Sequence, residues 1–339
     1  MGTIRAAILG TGHSYPEGIL TNAELERMVE TSDDWITSRT GIKQRRKAGP
    51  GEYTSQFAVR AARQAIDRAG LQAEDIDLIF CATVSPDQIL PSTGCIIQAE
   101  LGANKAAAMD LVAACSGFLY GLTLADTMIR TGQSKYALVI GAEVLTQYVD
   151  YTDRNTCILF GDGAGAAVLG PVDGDRGILA ARIRSDGRYL EQLYSPGGGT
   201  RRPASAATLA AGDHFFKMKG NELFKVAVRS MTDISREVLE EAGLSATDVK
   251  LFIPHQANQR INDGVANKLN VESERVYSNI AMHGNTSAAS IPIALDECVE
   301  AGRISAGDLV LMASFGGGVT WGGVLVGAGR KRPRKVKGE

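Results

Sequence analysis

The chain has 339 residues, 44% of them hydrophobic and 22% charged, with 36 Lys and Arg against 38 Asp and Glu for a net charge of −2. That composition is that of a globular protein with room for two domains and a large core; it excludes a fibrous or disordered chain and gives no sign of nucleic-acid binding. Apolar runs stop short of a membrane span, residues 1–16 lack the regions of a secretory signal, and five scattered cysteines without C-x-x-C spacing argue for reduced thiols in a cytoplasm.

In chain order, residues 4–10 read as a strand and GTGHSYP (10–16) as a glycine turn, which does not complete a G-x-G-x-x-G phosphate fingerprint. Thr21 and Glu24 form a capping box before a helix to about residue 30. A second short helix carries Asp33, Asp34, Trp35 and Arg39, the last two on one face. Thr54 is placed to cap a longer helix to Ala69. The apolar run 77–83 reads as a strand buried on both faces. Helix 94–101, strand 106–111, helix 116–130 and strand 136–141 follow, and FGDGAGAAVLG (160–170) is a glycine-rich turn entering a strand.

The second half repeats the first. AGLQAEDIDLIFCAT (69–83) matches AGLSATDVKLFIPHQ (242–256) at an offset of 173 residues. The same offset carries 116–126 onto 289–299 and brings strand 136–141 near 308–313. An offset held over three separate elements indicates duplication. Strands alternating with helices imply right-handed βαβ crossovers and a layered α/β architecture. The expected organisation is an N-terminal half over 1–172, a C-terminal half over 173–328, and a basic, disordered tail over 329–339. The segment 186–211, rich in Gly, Pro, Ser and Arg, reads as a loop.

Cys115, in LVAACSGFLY (111–120), falls where a strand turns into a helix. The free N–H groups and positive dipole of a helix N-terminus favour thiolate over thiol. A buried, inert cysteine fits the same turn equally well. Three downstream stretches bear on the choice: PHQANQR (254–260) with His255 just past a strand, HGNTSAAS (283–290) with Asn285, and SFGGGVTWG (314–322) with bare glycine backbone. Singly these read as a core histidine, a helix cap and a turn. Together they fit a cysteine nucleophile, hydrogen-bond donors for a second carbonyl, and backbone N–H groups for an oxyanion.

With TSDDWITSRTGI, AACSGF, TDRNT, FGDGAGAAVLG, PHQAN, HGNTSAAS and FGGGVTWG, the chain resembles the β-ketoacyl-[acyl-carrier-protein] synthase III family of the thiolase superfamily, from the first strand to Gly327. The resemblance implies a duplicated α-β-α-β-α layered thiolase fold and a decarboxylative Claisen condensation of an acyl-CoA primer with malonyl-carrier protein that starts fatty-acid synthesis, with no metal or redox cofactor. FGGG stands where a degradative thiolase carries a second catalytic cysteine. His255 with Asn285 is the pattern of initiating condensing enzymes.

The resemblance further implies roles. Cys115 takes the acyl group, while His255 and Asn285 hold the malonyl carbonyl. The N–H groups of Cys115 and Gly317 form the oxyanion hole. Trp35 and Arg154 sandwich the adenine of CoA, with Thr31 and Arg39 near its phosphates. Gly220, Phe224, Asn258 and Phe315 line the pantetheine tunnel. Lys225, Arg260 and Lys268 meet the acidic carrier protein, although Asn267 stands where a relative can have a further lysine. Leu90 replaces a phenylalanine at the end of the acyl pocket, contributed across a homodimer interface. The alternatives are a starter-unit enzyme of secondary metabolism and a non-catalytic acyl-binding subunit; an intact Cys115, His255 and Asn285 argue against the latter.

Overall fold

In the computed structural model, residues 4–174 and 176–328 are described. The basic segment 329–339 lies outside them. The strands that build the two sheets are β1 (Ile4–Ser14), β2 (Leu78–Ala82), β3 (Ala107–Leu111), β4 (Ala137–Val144), β5 (Asp162–Asp173), β6 (Gly177–Ser185), β7 (Leu251–Pro254), β8 (Leu309–Gly316) and β9 (Thr320–Gly327). The main helices are α1 (Asp33–Thr40), α2 (Thr54–Ala69), α3 (Thr93–Leu101), α4 (Gly117–Arg130), α5 (Gly220–Glu241), α6 (Gln259–Leu269) and α7 (Ser290–Glu300).

The first sheet runs β1-β5-β4-β2-β3, with β4, β2 and β3 parallel and β5 antiparallel to both of its neighbours. The second repeats that order as β6-β9-β8-β7, and a single parallel bridge from Phe252 to Val276 marks the place of its fifth strand. β6 and β7 start 173 residues after β1 and β2, and the turn Ala246–Asp248 follows Ala73–Asp75 by the same distance. The expected duplication is therefore present in four of the five strands.

Strand alternation makes the layers. Leu78 and Phe80 join a central core with Phe118, Leu122 and Ile129 of α4 and Ile291, Leu295 and Cys298 of α7. Ile79 and Cys81, one residue out of phase, face α2 and α3 on the outside. Val310 and Met312 of β8 point to the same central core, whereas Leu311 and Ala313 meet α5 and α6. Two sheets thus enclose the pair α4 and α7, with helices on both outer faces. Strands covered on both sides must be apolar throughout, which is why 77–83 carried no alternation.

Several local expectations are corrected. GTGHS is not a turn: β1 continues through it to Ser14, with a register shift between Ile8 and Gly10. A Cβ at Gly10 would lie 2.2 Å from the Ala65 carbonyl oxygen, and one at Gly12 lies 2.3 Å from that of Ala61. Those glycines let the strand touch the alanine face of α2. The Thr21–Glu24 capping box forms, but its helix is only Asn22–Leu25. Thr54 does not cap α2; Tyr53 holds that position, and the Thr54 hydroxyl donates to the Ser85 carbonyl at 2.6 Å. The glycines of 160–170 lie in and just before β5 rather than in a turn: a Cβ at Gly165 would be 2.6 Å from the Ile293 nitrogen of α7.

Candidate active site

Cys115 lies in a short 3₁₀ turn, Ala114–Ser116, between β3 and α4, with Ala114 held at φ +46°. The corresponding turn of the second half is Ser287–Ala289, before α7, with Ser287 at φ +47°. Both turns feed the central helix pair, so the duplication brings the two loops together at the seam. Gly316, at the end of β8, closes on them: a Cβ there would meet the Cys115 nitrogen at 2.6 Å. Only glycine permits that approach.

His255 follows β7 and is 1% exposed. Its Nδ1 lies 2.6 Å from the Ser290 hydroxyl, and its Nε2 has no partner among the described residues. The Ser290 oxygen also accepts from the Gln256 N–H at 3.3 Å. The hydroxyl can donate to Nδ1, and in that tautomer the ring proton sits on Nε2, a donor with nothing among the described residues to receive it. Burial depresses the imidazole to about 3, so the ring is neutral at pH 7. Asn285 Oδ1 accepts from the Ser287 N–H at 2.8 Å, which uses the carbonyl end of the amide and leaves its NH2 end to donate. A thiol, a neutral imidazole N–H and an amide NH2 therefore stand around one segment, 285–290.

The electrostatics of Cys115 differ from the sequence expectation. Burial pushes the thiol up to about 12, and the nearby Glu143 carboxylate adds to the rise, while the Ser287 hydroxyl works the other way. A helix dipole contributes about 0.3–1 kcal/mol in ordinary settings and ~2 at best. That is no more than ~1.5 pKa units, too little to ionise a sulfur so thoroughly desolvated.

The residues expected from sequence to hold a nucleotide also gather. The guanidinium of Arg39 lies 4.7 Å from the Trp35 ring centroid and that of Arg154 lies 4.5 Å from it. Arg154 also donates to the Glu30 carbonyl at 2.9 Å. The Arg154 guanidinium thus stacks directly on the Trp35 ring, the pair expected from sequence to flank an adenine. The Thr31 hydroxyl oxygen is buried and has no partner among the described residues. Asn258 caps α6 by accepting from the Arg260 N–H at 2.9 Å and donates to the Arg39 carbonyl at 3.0 Å, tying α6 to α1. Phe224 is half-buried beneath Arg260, whose guanidinium lies 5.7 Å from the ring. Phe315 is buried, Gly220 begins α5, and Gly317 follows β8. Lys225, Arg260 and Lys268 are exposed, and among the described residues none pairs with a carboxylate. Leu90 is 84% exposed, so it lines nothing within its own chain.

Sequence reasoning gave no role to four residues packed around the site. Ser290 and Ser287 stood in a stretch already singled out, but nothing assigned them partners. Glu143 is fully buried in β4; a lone acid within an otherwise apolar strand was its signal. His283, without a role from sequence, is gripped by Glu297, which also accepts from Tyr277 at 2.9 Å and Asn279 at 2.6 Å. His13, Asp296 and Glu300 lie as close together as a metal's ligands, but the Arg68 guanidinium already joins both carboxylates.

The family model for 3-oxoacyl-[acyl-carrier-protein (ACP)] synthase III matches residues 109–187, and the model for its C terminal matches 239–328. The beta-ketoacyl-[acyl-carrier-protein] synthase III of Natranaerobius thermophilus is 51% identical over 95% of this chain and 98% of its own length. The crystal structure of 3-oxoacyl-[acyl-carrier-protein] synthase III from Aquifex aeolicus superposes with a TM-score of 0.88 at 49% identity, covering 95% of this chain and 99% of that one. The priming beta-ketosynthase of the R1128 polyketide pathway does so at 0.90 and 34% identity, covering 96% and 97%. With its layered duplicated fold and near-complete coverage by such relatives, the chain belongs to the 3-oxoacyl-[acyl-carrier-protein] synthase III family.

Proposed function

We propose that the chain transfers an acyl group from acyl-CoA to Cys115 and condenses it with malonyl-carrier protein, releasing CO2 and giving a β-ketoacyl-carrier protein, the first carbon–carbon bond of fatty-acid synthesis. The reading is carried by one observation: the 285–290 segment puts a neutral, unpartnered histidine N–H and an amide donor beside a cysteine. Cys115 is the nucleophile. His255 Nε2 and Asn285 Nδ2 hold the malonyl carbonyl and stabilise the enolate formed as CO2 leaves, while the N–H groups of Cys115 and Gly317 receive the oxyanion of the acyl carbon. A neutral histidine suits this task, since it donates without giving up a proton. Thr31, Trp35, Arg39 and Arg154 hold CoA, and Gly220, Phe224, Asn258 and Phe315 line its pantetheine arm. No cofactor takes part, because both reactants are thioesters activated at carbon. The two halves divide near residue 172, each giving one loop to the site. Incubation of acyl-CoA with malonyl-carrier protein should yield the matching β-ketoacyl-carrier protein, acetoacetyl-carrier protein from acetyl-CoA; absence of such a product with every primer tried would refute the reading. A priming role in polyketide synthesis uses the same chemistry, and the likeness to the R1128 enzyme keeps it as the second reading.

The carrier is acidic, and Lys225, Arg260 and Lys268 offer free cations on α5 and α6. Arg260→Glu should lower kcat/KM for malonyl-carrier protein by about 10-fold at low salt, because rim charges act mainly on encounter. Acylation by acyl-CoA should change little. The gap should close at 1 M salt, where the screening length is ~3 Å; equal losses for both substrates at every salt concentration would remove Arg260 from docking.

The partner that Leu90 needs is a second copy of this chain. Among the described residues β3 is an unpaired sheet edge, and Met109 within it, Val112 just after it and Ile89 are exposed apolar side chains. Light scattering should report twice 35.9 kDa. An aliphatic Leu90 leaves the pocket floor softer than phenylalanine, and each methylene that fits is worth ~0.8 kcal/mol. Wild type should accept isobutyryl- and octanoyl-CoA as well as acetyl-CoA, and Leu90→Phe should restrict it to acetyl-CoA. Strict acetyl preference in both proteins would show that Leu90 does not set primer length.

A further inference from the structure

The turn that carries His255 is locked by its neighbour. The Gln256 side chain is fully buried and spends its whole amide. Its Nε2 donates to the Pro254 carbonyl at 2.7 Å and the Tyr277 carbonyl at 3.2 Å. Its Oε1 accepts from the Ser278 hydroxyl at 3.1 Å and the Asn279 N–H at 3.2 Å. A backbone N–H can only donate, so the Asn279 contact fixes which end of the amide is oxygen. The Gln256 main chain is thereby held with its N–H on the Ser290 hydroxyl oxygen at 3.3 Å. Ser290 is 2% exposed and opens α7, directly after the Asn285 loop.

Ser290 Oγ has one proton and two lone pairs. One lone pair receives the Gln256 N–H. Among the described residues the side chain has one other hydrogen-bond partner, His255 Nδ1 at 2.6 Å. Burial keeps the imidazole neutral at pH 7, so a single ring proton has to be placed. With that proton on Nδ1, the ring would donate to Oγ and the buried hydroxyl hydrogen would have no acceptor. With Nδ1 bare, the hydroxyl donates to it, and the Gln256 N–H, the Ser290 hydroxyl and Nδ1 are all paired. An unpaired buried donor is costly enough to favour the second arrangement by about 10-fold or more.

We infer that Ser290 is a positioning residue: its hydroxyl, oriented by the Gln256 N–H, holds His255 in the tautomer that carries the proton on Nε2. Ser290 acts through the ring and touches neither substrate. In the other tautomer Nε2 would turn a lone pair toward the malonyl carbonyl oxygen and repel it, so the serine keeps the histidine a donor. The inference deepens the role proposed above for His255 and rests on that reading for its kinetic consequence alone.

The test uses the full chain labelled with 15N-histidine. Two-bond proton–nitrogen correlation spectra show which ring nitrogen carries the proton. The chain has four histidines, and His255 is identified by the signal lost in His255→Ala. Wild type at pH 7 should show His255 protonated on Nε2 alone. Ser290→Ala should bring in an Nδ1-protonated form. In the same variant kcat for CO2 release from malonyl-carrier protein should fall by about 10-fold or more, while KM and the rate of acyl-enzyme formation change by less than about 3-fold. Ser290→Thr keeps the hydroxyl and should restore the tautomer and most of the rate. Protonation of wild-type His255 on Nδ1, or an unchanged tautomer in Ser290→Ala, overturns the inference. So does an equal loss of acylation and CO2 release, because the Cys115 turn packs against the turn that leads into α7 and a merely structural defect there would strike both half-reactions. If Ser290→Ala does not fold, Ser290→Cys, a weaker donor, takes its place. A tautomer that shifts as expected in a chain that makes no β-ketoacyl product would strike the proposed function and leave this inference standing.

Discussion

Cys115→Ser should abolish primer transfer. Serine is nearly isosteric, so the loop 113–117 should keep its shape, but an alcohol in this dry site is almost wholly protonated. Deleting the nucleophile of a hydrolase costs on the order of 10⁶ in rate, and a loss of at least ~10³ in acyl-enzyme formation is expected here. Stopped-flow measurement of CoA release from acetyl-CoA reads it directly. Acylation of the serine variant at near wild-type rate would remove Cys115 as the nucleophile.

His255→Ala and Asn285→Ala should separate the two half-reactions. Both side chains are assigned to the malonyl carbonyl, so acyl-enzyme should still form while decarboxylation slows. Losing one preorganised donor of this kind costs ~10²–10³ in rate, about 2.7–4 kcal/mol. With the imidazole depressed to about 3 by burial, His255 stays neutral from pH 8 down to about pH 4. Release of CO2 from malonyl-carrier protein should therefore show no histidine titration near pH 6.5 in the wild type. The measurement is radiolabelled CO2 release alongside acyl-enzyme yield for each variant. A variant that condenses normally would be telling us its residue is structural; one that loses acylation as well would place it in the first half-reaction. The Asn285 variant also forfeits the bond to the Ser287 N–H, so its thermal stability should fall slightly.

The architecture was legible in the sequence because duplication left a constant offset and because strands sandwiched between helix layers must be apolar on both faces. The fifth strand of the second sheet, reduced to the Phe252–Val276 bridge, left no such run. GTGHS misled for a physical reason. Glycines there serve close packing of β1 on α2, and composition cannot distinguish that from the freedom a turn requires. Thr54 misled similarly, since its hydroxyl found a tertiary carbonyl rather than the helix end.

At the site, Cys115, His255 and Asn285 were visible as residue types in distinctive company. The environment of the thiol was not, because desolvation depends on what packs over it, and the layers that bury Cys115 come from both halves of the chain. Glu143 was the most readable of the missed residues: one carboxylate in a strand of eight buried positions. The stack of Arg154 on Trp35 was invisible for another reason, as spacing along the chain says nothing about how two side chains 119 positions apart meet.

The central claim is that Cys115 carries the acyl group between the two substrates. Intact-protein mass spectrometry after mixing with a single acyl-CoA, followed by peptide mapping, measures this most directly. The account predicts one acyl mass per chain, located on Cys115, discharged when malonyl-carrier protein is added, and absent in Cys115→Ser. An acyl group found on another residue, or product formed with no acyl-enzyme accumulating even when malonyl-carrier protein is withheld, would contradict it.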